Sequence, residues 1–159
     1  EYTYIRDVIS WNAMILGYVQ YDRGNEALNC FEWMQSEGLS PDVVTFICIL
    51  KACGSSKAKE KGKQIHEDIM IRGLLKKDVE LGNALVDMYA KCGLFSKAHE
   101  VFEKLAFKNV IAWTSLIAGY VGRGLCIELF GTYAKRMPLS KYTNPYWHLE
   151  SLWHHKRDT

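Results

Sequence analysis

The 159-residue sequence has no C-x-x-C pair, no apolar run approaching the length of a membrane span, and no stretch alternating apolar and polar residues between turn signals. Each absence removes a class. Without alternation no half-buried strand is expected, so the chain reads as all-α. Without an apolar segment of about 20 residues no membrane partner is expected. The five cysteines, Cys30, Cys48, Cys53, Cys92 and Cys126, are odd in number and lack ligand spacing, which points to a reducing compartment, packing roles and no metal. A targeting segment is also absent: the first structural unit is expected at Val8, so the chain reads as cut from a longer protein.

What is present is repetition. Residues 8–19 (VISWNAMILGYV) and 110–121 (VIAWTSLIAGYV) share seven of twelve positions at a separation of 102 residues. Weaker copies begin at Val43 and Val79, which divides the interval into steps of 35, 36 and 31 residues. Self-similarity at this period is the mark of a solenoid, in which each unit buries its apolar face against its neighbours. In register, position four holds Trp11, Phe46, Gly82 and Trp113, position eight holds Ile15, Leu50, Val86 and Ile117, and position eleven holds Tyr18, Cys53, Tyr89 and Tyr120. Spacings of four and three place these on one stripe of a helix, helix A. Ala27 and Phe31, matched by Ala98 and Phe102, continue the pattern onto a second helix, helix B.

The turn signals agree with stacked antiparallel helix pairs. Breaks are expected at Tyr21-Asp22-Arg23-Gly24, at Cys53-Gly54-Ser55-Ser56 and at Cys92-Gly93, with Gly38-Leu39-Ser40-Pro41-Asp42 closing the first unit. The expected units are 8–42, 43–78, 79–109, a degenerate fourth at 110–137, and a non-repeat tail at 138–159. The helix-A stripe should be buried and the A helices should line the concave side.

A net charge of +2 conceals a division. Residues 8–42 carry one basic and five acidic side chains, whereas 43–78 carry eight and four. Lys57, Lys59, Lys61 and Lys63 concentrate the excess at or before helix B of the second unit. A solvated outer face is the simpler explanation of such a run, and a phosphate-tracking patch, with binding that weakens as salt rises, is the sharper one.

The segments VISWNAMILGYV at 8–19, EALNCFEWM at 26–34, PDVVTF at 41–46, GKQIH at 62–66 and NALVDMYAKCG at 83–93 resemble the pentatricopeptide repeat family of plants. The steps of 35, 36 and 31 are similar to the P-type, L-type and S-type motifs of its PLS subclass, restarting at Val110. The resemblance implies a right-handed superhelix that binds single-stranded RNA, one base per repeat, in a groove lined by helix A. It also implies mitochondrial or chloroplast location, a processing or editing protein acting in trans, no cofactor, no small-molecule substrate and no enzymatic activity. In the family the fifth and last residues of a motif choose the base: here Asn12 with Asp42, associated with uracil, and Asn83 with Asn109, associated with pyrimidines. Thr114 takes the fifth position of the last unit. The second residue wedges between bases, a role that Ile9, Val44 and Ile111 fit and Glu80 does not. Ile47, fifth in the second unit, offers no hydrogen bond, so that unit reads as a spacer.

From the residues alone, Asn12 and Asn83 sit one step past the stripe, where a polar side chain can simply face solvent, and Asn12→Ala is expected to leave stability nearly unchanged. Asp42 can cap the helix that follows it. Leu125, Leu129, Tyr133 and Met137 could form a last apolar stripe, and Asn144-Pro145 could start a capping helix. His148-Leu149-Glu150 supplies half of a zinc-deaminase signature, but no cysteine follows it to complete the ligand set. The competing functional class is a scaffold that holds a peptide in the helix-A groove.

Overall fold

The computed structural model describes residues 7–76 and 78–122. Among these described residues seven α-helices follow one another: α1 (Val8–Gln20), α2 (Gly24–Ser36), α3 (Val43–Ser56), α4 (Lys59–Ile71), α5 (Val79–Lys91), α6 (Phe95–Lys104) and α7 (Val110–Val121), with a 3-10 turn at Leu74–Lys76. The described residues contain no strand and no helix long and apolar enough to cross a membrane. The expected final stripe, the tail, Cys126 and the His148-Leu149-Glu150 segment lie outside the described residues.

The odd-numbered helices start by one device. Asp7, Asp42, Asp78 and Asn109 are extended residues whose side chains accept a hydrogen bond from the backbone N–H of Ser10, Thr45, Leu81 and Ala112 respectively. Each cap satisfies one of the amides that a helix start leaves without a partner. The even-numbered helices have no side-chain cap and follow turns of two or three residues. Such short connections force each pair antiparallel, giving the hairpins α1–α2, α3–α4 and α5–α6.

Packing runs between neighbours along the chain. Helix α3 lies against α1, α2, α4 and α5, while α5 lies against α3, α4, α6 and α7. The described part is therefore an all-helical solenoid. Trp11, Ile15, Phe46, Leu50, Cys53, Val86 and Tyr89 of the stripe are buried, as are Ala27, Phe31, Ala98 and Phe102 of the B helices. Burial of each large apolar side chain contributes roughly 1.5–3 kcal/mol, and here that term arises between helices rather than inside any one of them. Cys30, Cys48, Cys53 and Cys92 are buried, as packing cysteines should be.

Three expectations are corrected. Ile117 is 39% exposed, and Tyr18, Trp113 and Tyr120 are half-buried, so the stripe is not buried throughout. The break at Cys53-Gly54-Ser55-Ser56 does not occur: α3 continues through Ser56 and ends where Lys57 takes the left-handed conformation, φ 58°. Gly54 instead lets α3 approach α5, since a Cβ there would lie 3.2 Å from the Lys91 side chain. In the first break the left-handed residue is Asp22, φ 56°, not Gly24. Gly24 is needed for space, as its Cβ would stand 2.7 Å from Ser55 Oγ and 2.8 Å from the Ala52 carbonyl.

Candidate nucleic-acid interface

The fifth residue of the first repeat and the residue before α3 meet in one polar cluster. Asn12 Nδ2 donates to both carboxylate oxygens of Asp42, at 3.0 and 3.2 Å, although the two residues are 30 apart in sequence. Asp42 also accepts from the Thr45 backbone N–H at 2.8 Å, and its own N–H donates to Thr45 Oγ1 at 3.2 Å, which completes a capping box on α3. Thr45 Oγ1 lies 2.6 Å from Asn12 Oδ1. Partial burial pushes the Asp42 carboxyl up, but the bonds from Thr45 and Asn12 outweigh it and hold the group below its ordinary value. Asn12 is 8% exposed, so the solvent-facing alternative is overturned. The cause is α3, which packs on α1 and brings Asp42 and Thr45 over the amide.

The third repeat is built differently. Asn83 is 5% exposed, and its Oδ1 has no hydrogen-bond partner. Asn109 caps α7 by accepting from Ala112 N at 2.9 Å, and among the described residues no hydrogen bond joins it to Asn83. Thr114 is exposed and donates to the Ile111 carbonyl at 3.0 Å, the last turn's acceptor rather than any partner across repeats.

Apolar side chains flank these groups. Ile9, Val44 and Ile111 occupy the second residue of α1, α3 and α7 and are 76%, 53% and 59% exposed. Ile9 is three residues before Asn12 and Ile111 three before Thr114, a spacing that puts each pair on one helix face. Leaving three β-branched side chains in water at equivalent positions is unfavourable for folding and is consistent with a face kept for a ligand. Glu80 holds that position in α5 and is exposed, and Ile47 of α3 is half-buried.

The lysine run divides in two. Lys61 pairs with Glu32 at 2.9 Å and Lys63 with Glu60 at 2.9 Å, so both are neutralised locally on α4. Lys57 and Lys59 instead line an open concavity of about 510 Å³ with Lys91, Ser115 and Gly119, between the ends of α5 and α7. Lys57 Nζ donates to the Lys91 carbonyl at 2.6 Å, and Lys91 pairs with Asp87 at 2.8 Å. Lys91 was not singled out by the sequence pattern. Its place at the C-terminal end of an A helix, where a cation meets free carbonyls, was the available signal.

His66 and Tyr89 join α4 to α5 through a 2.8 Å hydrogen bond and an edge-on ring contact. Burial lowers the imidazole's affinity for a proton, and nearby Lys97 adds to that. Burial also pushes the Tyr89 hydroxyl up to about 12. The pair packs α4 against α5. Among the described residues no cluster of histidine, cysteine or carboxylate side chains could hold a metal.

Comparison with known proteins agrees with this architecture. A family model described as the PPR repeat family matches residues 6–55, and one described as the PPR repeat matches residues 83–110. The chain belongs to the pentatricopeptide repeat family. It is 41% identical over 141 residues to the Arabidopsis thaliana pentatricopeptide repeat-containing protein At4g16470, covering 89% of this chain and 28% of that protein. It is 45% identical over 130 residues to the chloroplastic protein DOT4 of the same plant, covering 81% of this chain and 15% of DOT4. The pentatricopeptide repeat chain thus spans under a third of these relatives. The crystal structure of the pentatricopeptide repeat protein PPR10 in complex with an 18-nt psaJ RNA element superposes with a TM-score of 0.66 at 20% identity, over 84% of this chain and 21% of that one. At that identity the likeness concerns the fold.

Proposed function

We propose that this chain is an RNA-recognition segment that binds single-stranded RNA along its A helices. The observation that carries the proposal is the Asn12–Asp42 hydrogen-bonded pair, flanked by the exposed Ile9 and Val44. An unpaired base inserted between two apolar side chains would be held by its faces, while the amide between them addresses its edge. The same logic extends to Ile111 with Thr114 in α7, and to Asn83 with Asn109 where Glu80 replaces the wedge. Lys57 and Lys59, beside the Lys91–Asp87 pair, line the concavity that phosphates would occupy, whereas Lys61 and Lys63 contribute less because carboxylates already pair with them.

In this proposal the repeats at 8–42, 43–78 and 79–109 are P-type, L-type and S-type units, with 110–137 opening a further one. The RNA complex of PPR10 and the organellar names of DOT4 and of the mitochondrial relative At4g19191 support a role in mitochondrial or chloroplast RNA processing or editing. The chain would choose the site while a protein acting in trans performs the chemistry. Filter binding of the full chain, fused to repeats of known base preference, to pyrimidine-rich, adenine-rich and duplex RNA tests the proposal. Preference for the pyrimidine-rich single strand, lost in Asn12→Ala, is expected. Equal binding to all three, with a helical peptide competing for the groove, would replace it with the scaffold.

A further inference from the structure

The two buried asparagines differ in what holds their amides. Asp42 can only accept, so Asn12 must turn its Nδ2 toward that carboxylate and its Oδ1 toward Thr45. The Thr45 hydroxyl accepts from Asp42 N–H, and its single proton has two possible acceptors, Asn12 Oδ1 at 2.6 Å and Asp42 Oδ1 at 2.9 Å. Without the proton on the shorter contact, two bare oxygens would face each other at 2.6 Å, so it belongs to Asn12. Turning the amide over would break three bonds and set its oxygen against the carboxylate. Asn12 is therefore locked, and because both Asp42 oxygens lie on one side of Nδ2, its second N–H remains as a donor.

Asn83 lacks that lock. Ala112 is the third residue of α7, the position that Thr45 holds in α3, and it has no hydroxyl. Asn109 is neutral and its oxygen is used in the cap. The orphaned Asn83 Oδ1, on a side chain 5% exposed, is the direct result. Such a group gains a partner from an ordered water, by turning, or by accepting from a ligand.

Resting on the RNA reading above, we propose that the third residue of the following helix, Thr45 or Ala112, supplies or omits the half of the hold that lies on the asparagine oxygen, and so adds to the residue before that helix, Asp42 or Asn109, in setting how sharply each asparagine distinguishes uracil from cytosine. The two bases differ at C4, a carbonyl acceptor in uracil and an amino donor in cytosine. A locked amide offering N–H matches only the carbonyl, so the first repeat selects uracil. An amide free to turn matches either, so the third repeat accepts both pyrimidines. Thr45 acts here as a positioning residue, through Asn12.

The test uses the full chain fused to repeats of known base preference, with RNAs that differ only by uracil or cytosine at the nucleotide facing repeat one or repeat three. Thr45→Ala should lower the uracil-to-cytosine affinity ratio at repeat one by about threefold, less than the roughly tenfold effect of one wrong base, because Asp42 still holds Nδ2. Thr45→Ser keeps the hydroxyl and should restore the ratio, although it alters packing as well. Ala112→Ser should raise the ratio at repeat three. If Thr45→Ala leaves the ratio intact while Asn12→Ala removes it, the lock is wrong and the RNA reading stands. If Asn12→Ala changes no base preference at all, the RNA reading itself is lost, and the lock with it.

Discussion

At the scale of single residues, the polar cluster around Asn12 reverses a simple expectation. A groove residue that only touches a ligand can be truncated without harm, but Asn12 is buried and joins α1 to the cap of α3. Asn12→Ala should therefore destabilise the chain by about 1–3 kcal/mol, because the fully buried Thr45 hydroxyl loses its partner, while the exposed Asp42 can exchange the lost amide for water. A shift of the urea midpoint at unchanged slope is the measurement. Asp42 adds an acid dependence. Its folded carboxyl lies below its ordinary value of 3.8, so its contribution is complete above that value and is lost as pH falls from there through the folded value. Asp42→Asn should flatten the stability profile in that acid window, and an unchanged slope would assign the acid sensitivity to other groups. Asn12 and Asp42 could be named from the repeat register, but that they bond to each other could not, since 30 residues of chain separate them.

Between elements the deciding variable is the distance between helices. Phe102 of α6 is fully buried and meets Trp113 of α7 edge-on at a centroid distance of 4.6 Å. Phe102→Ala should cost about 3–5 kcal/mol by loss of transfer energy and by the cavity left behind. Two glycines on neighbouring helices should respond with opposite sign. Gly24→Ala forces a methyl against Ser55 Oγ and the Ala52 carbonyl and should destabilise by roughly 1–3 kcal/mol. Gly17 has nothing within 4 Å of its Cβ position, so Gly17→Ala should stabilise by roughly 0.5–1 kcal/mol through helix propensity alone. Thermal melts of the two variants side by side would check this, and equal signs would mean that the contact between α2 and α3 is looser than described. Both glycines sit near the end of a helix A or the start of a helix B, and sequence position alone does not separate them.

For the whole molecule, charge is distributed by repeat: residues 8–42 are acidic and 43–78 basic. The fold sorts this further by pairing Lys61 and Lys63 with Glu32 and Glu60 and leaving Lys57 and Lys59 with Lys91 in the concavity. Replacing Lys57 and Lys59 by glutamine should weaken binding to every single-stranded RNA alike and reduce the dependence of affinity on salt, by about one counterion-release unit for each phosphate no longer neutralised. Replacing Lys61 and Lys63 should change that slope much less. Identical slopes for the two double variants would remove the concavity from the binding path.

The sequence alone determined the class and the register. Repetition at 35, 36 and 31 residues, the stripe at positions four, eight and eleven, and an Asp or Asn before each A helix are local or periodic signals, and helices obey local rules. The tertiary structure decided what each polar side chain faces. Asn12 and Asn83 occupy the same position of the repeat, yet one has its oxygen held by a hydroxyl and the other keeps an orphaned oxygen, because their partners arrive from the next repeat, as Thr45 in one case and Ala112 in the other. The same holds for Lys57 and Lys61, four residues apart and opposite in setting. Propensity is read along the chain, whereas burial and hydrogen-bond partners are set by neighbours across it, and only packing α3 on α1 and α7 on α5 brings those neighbours together.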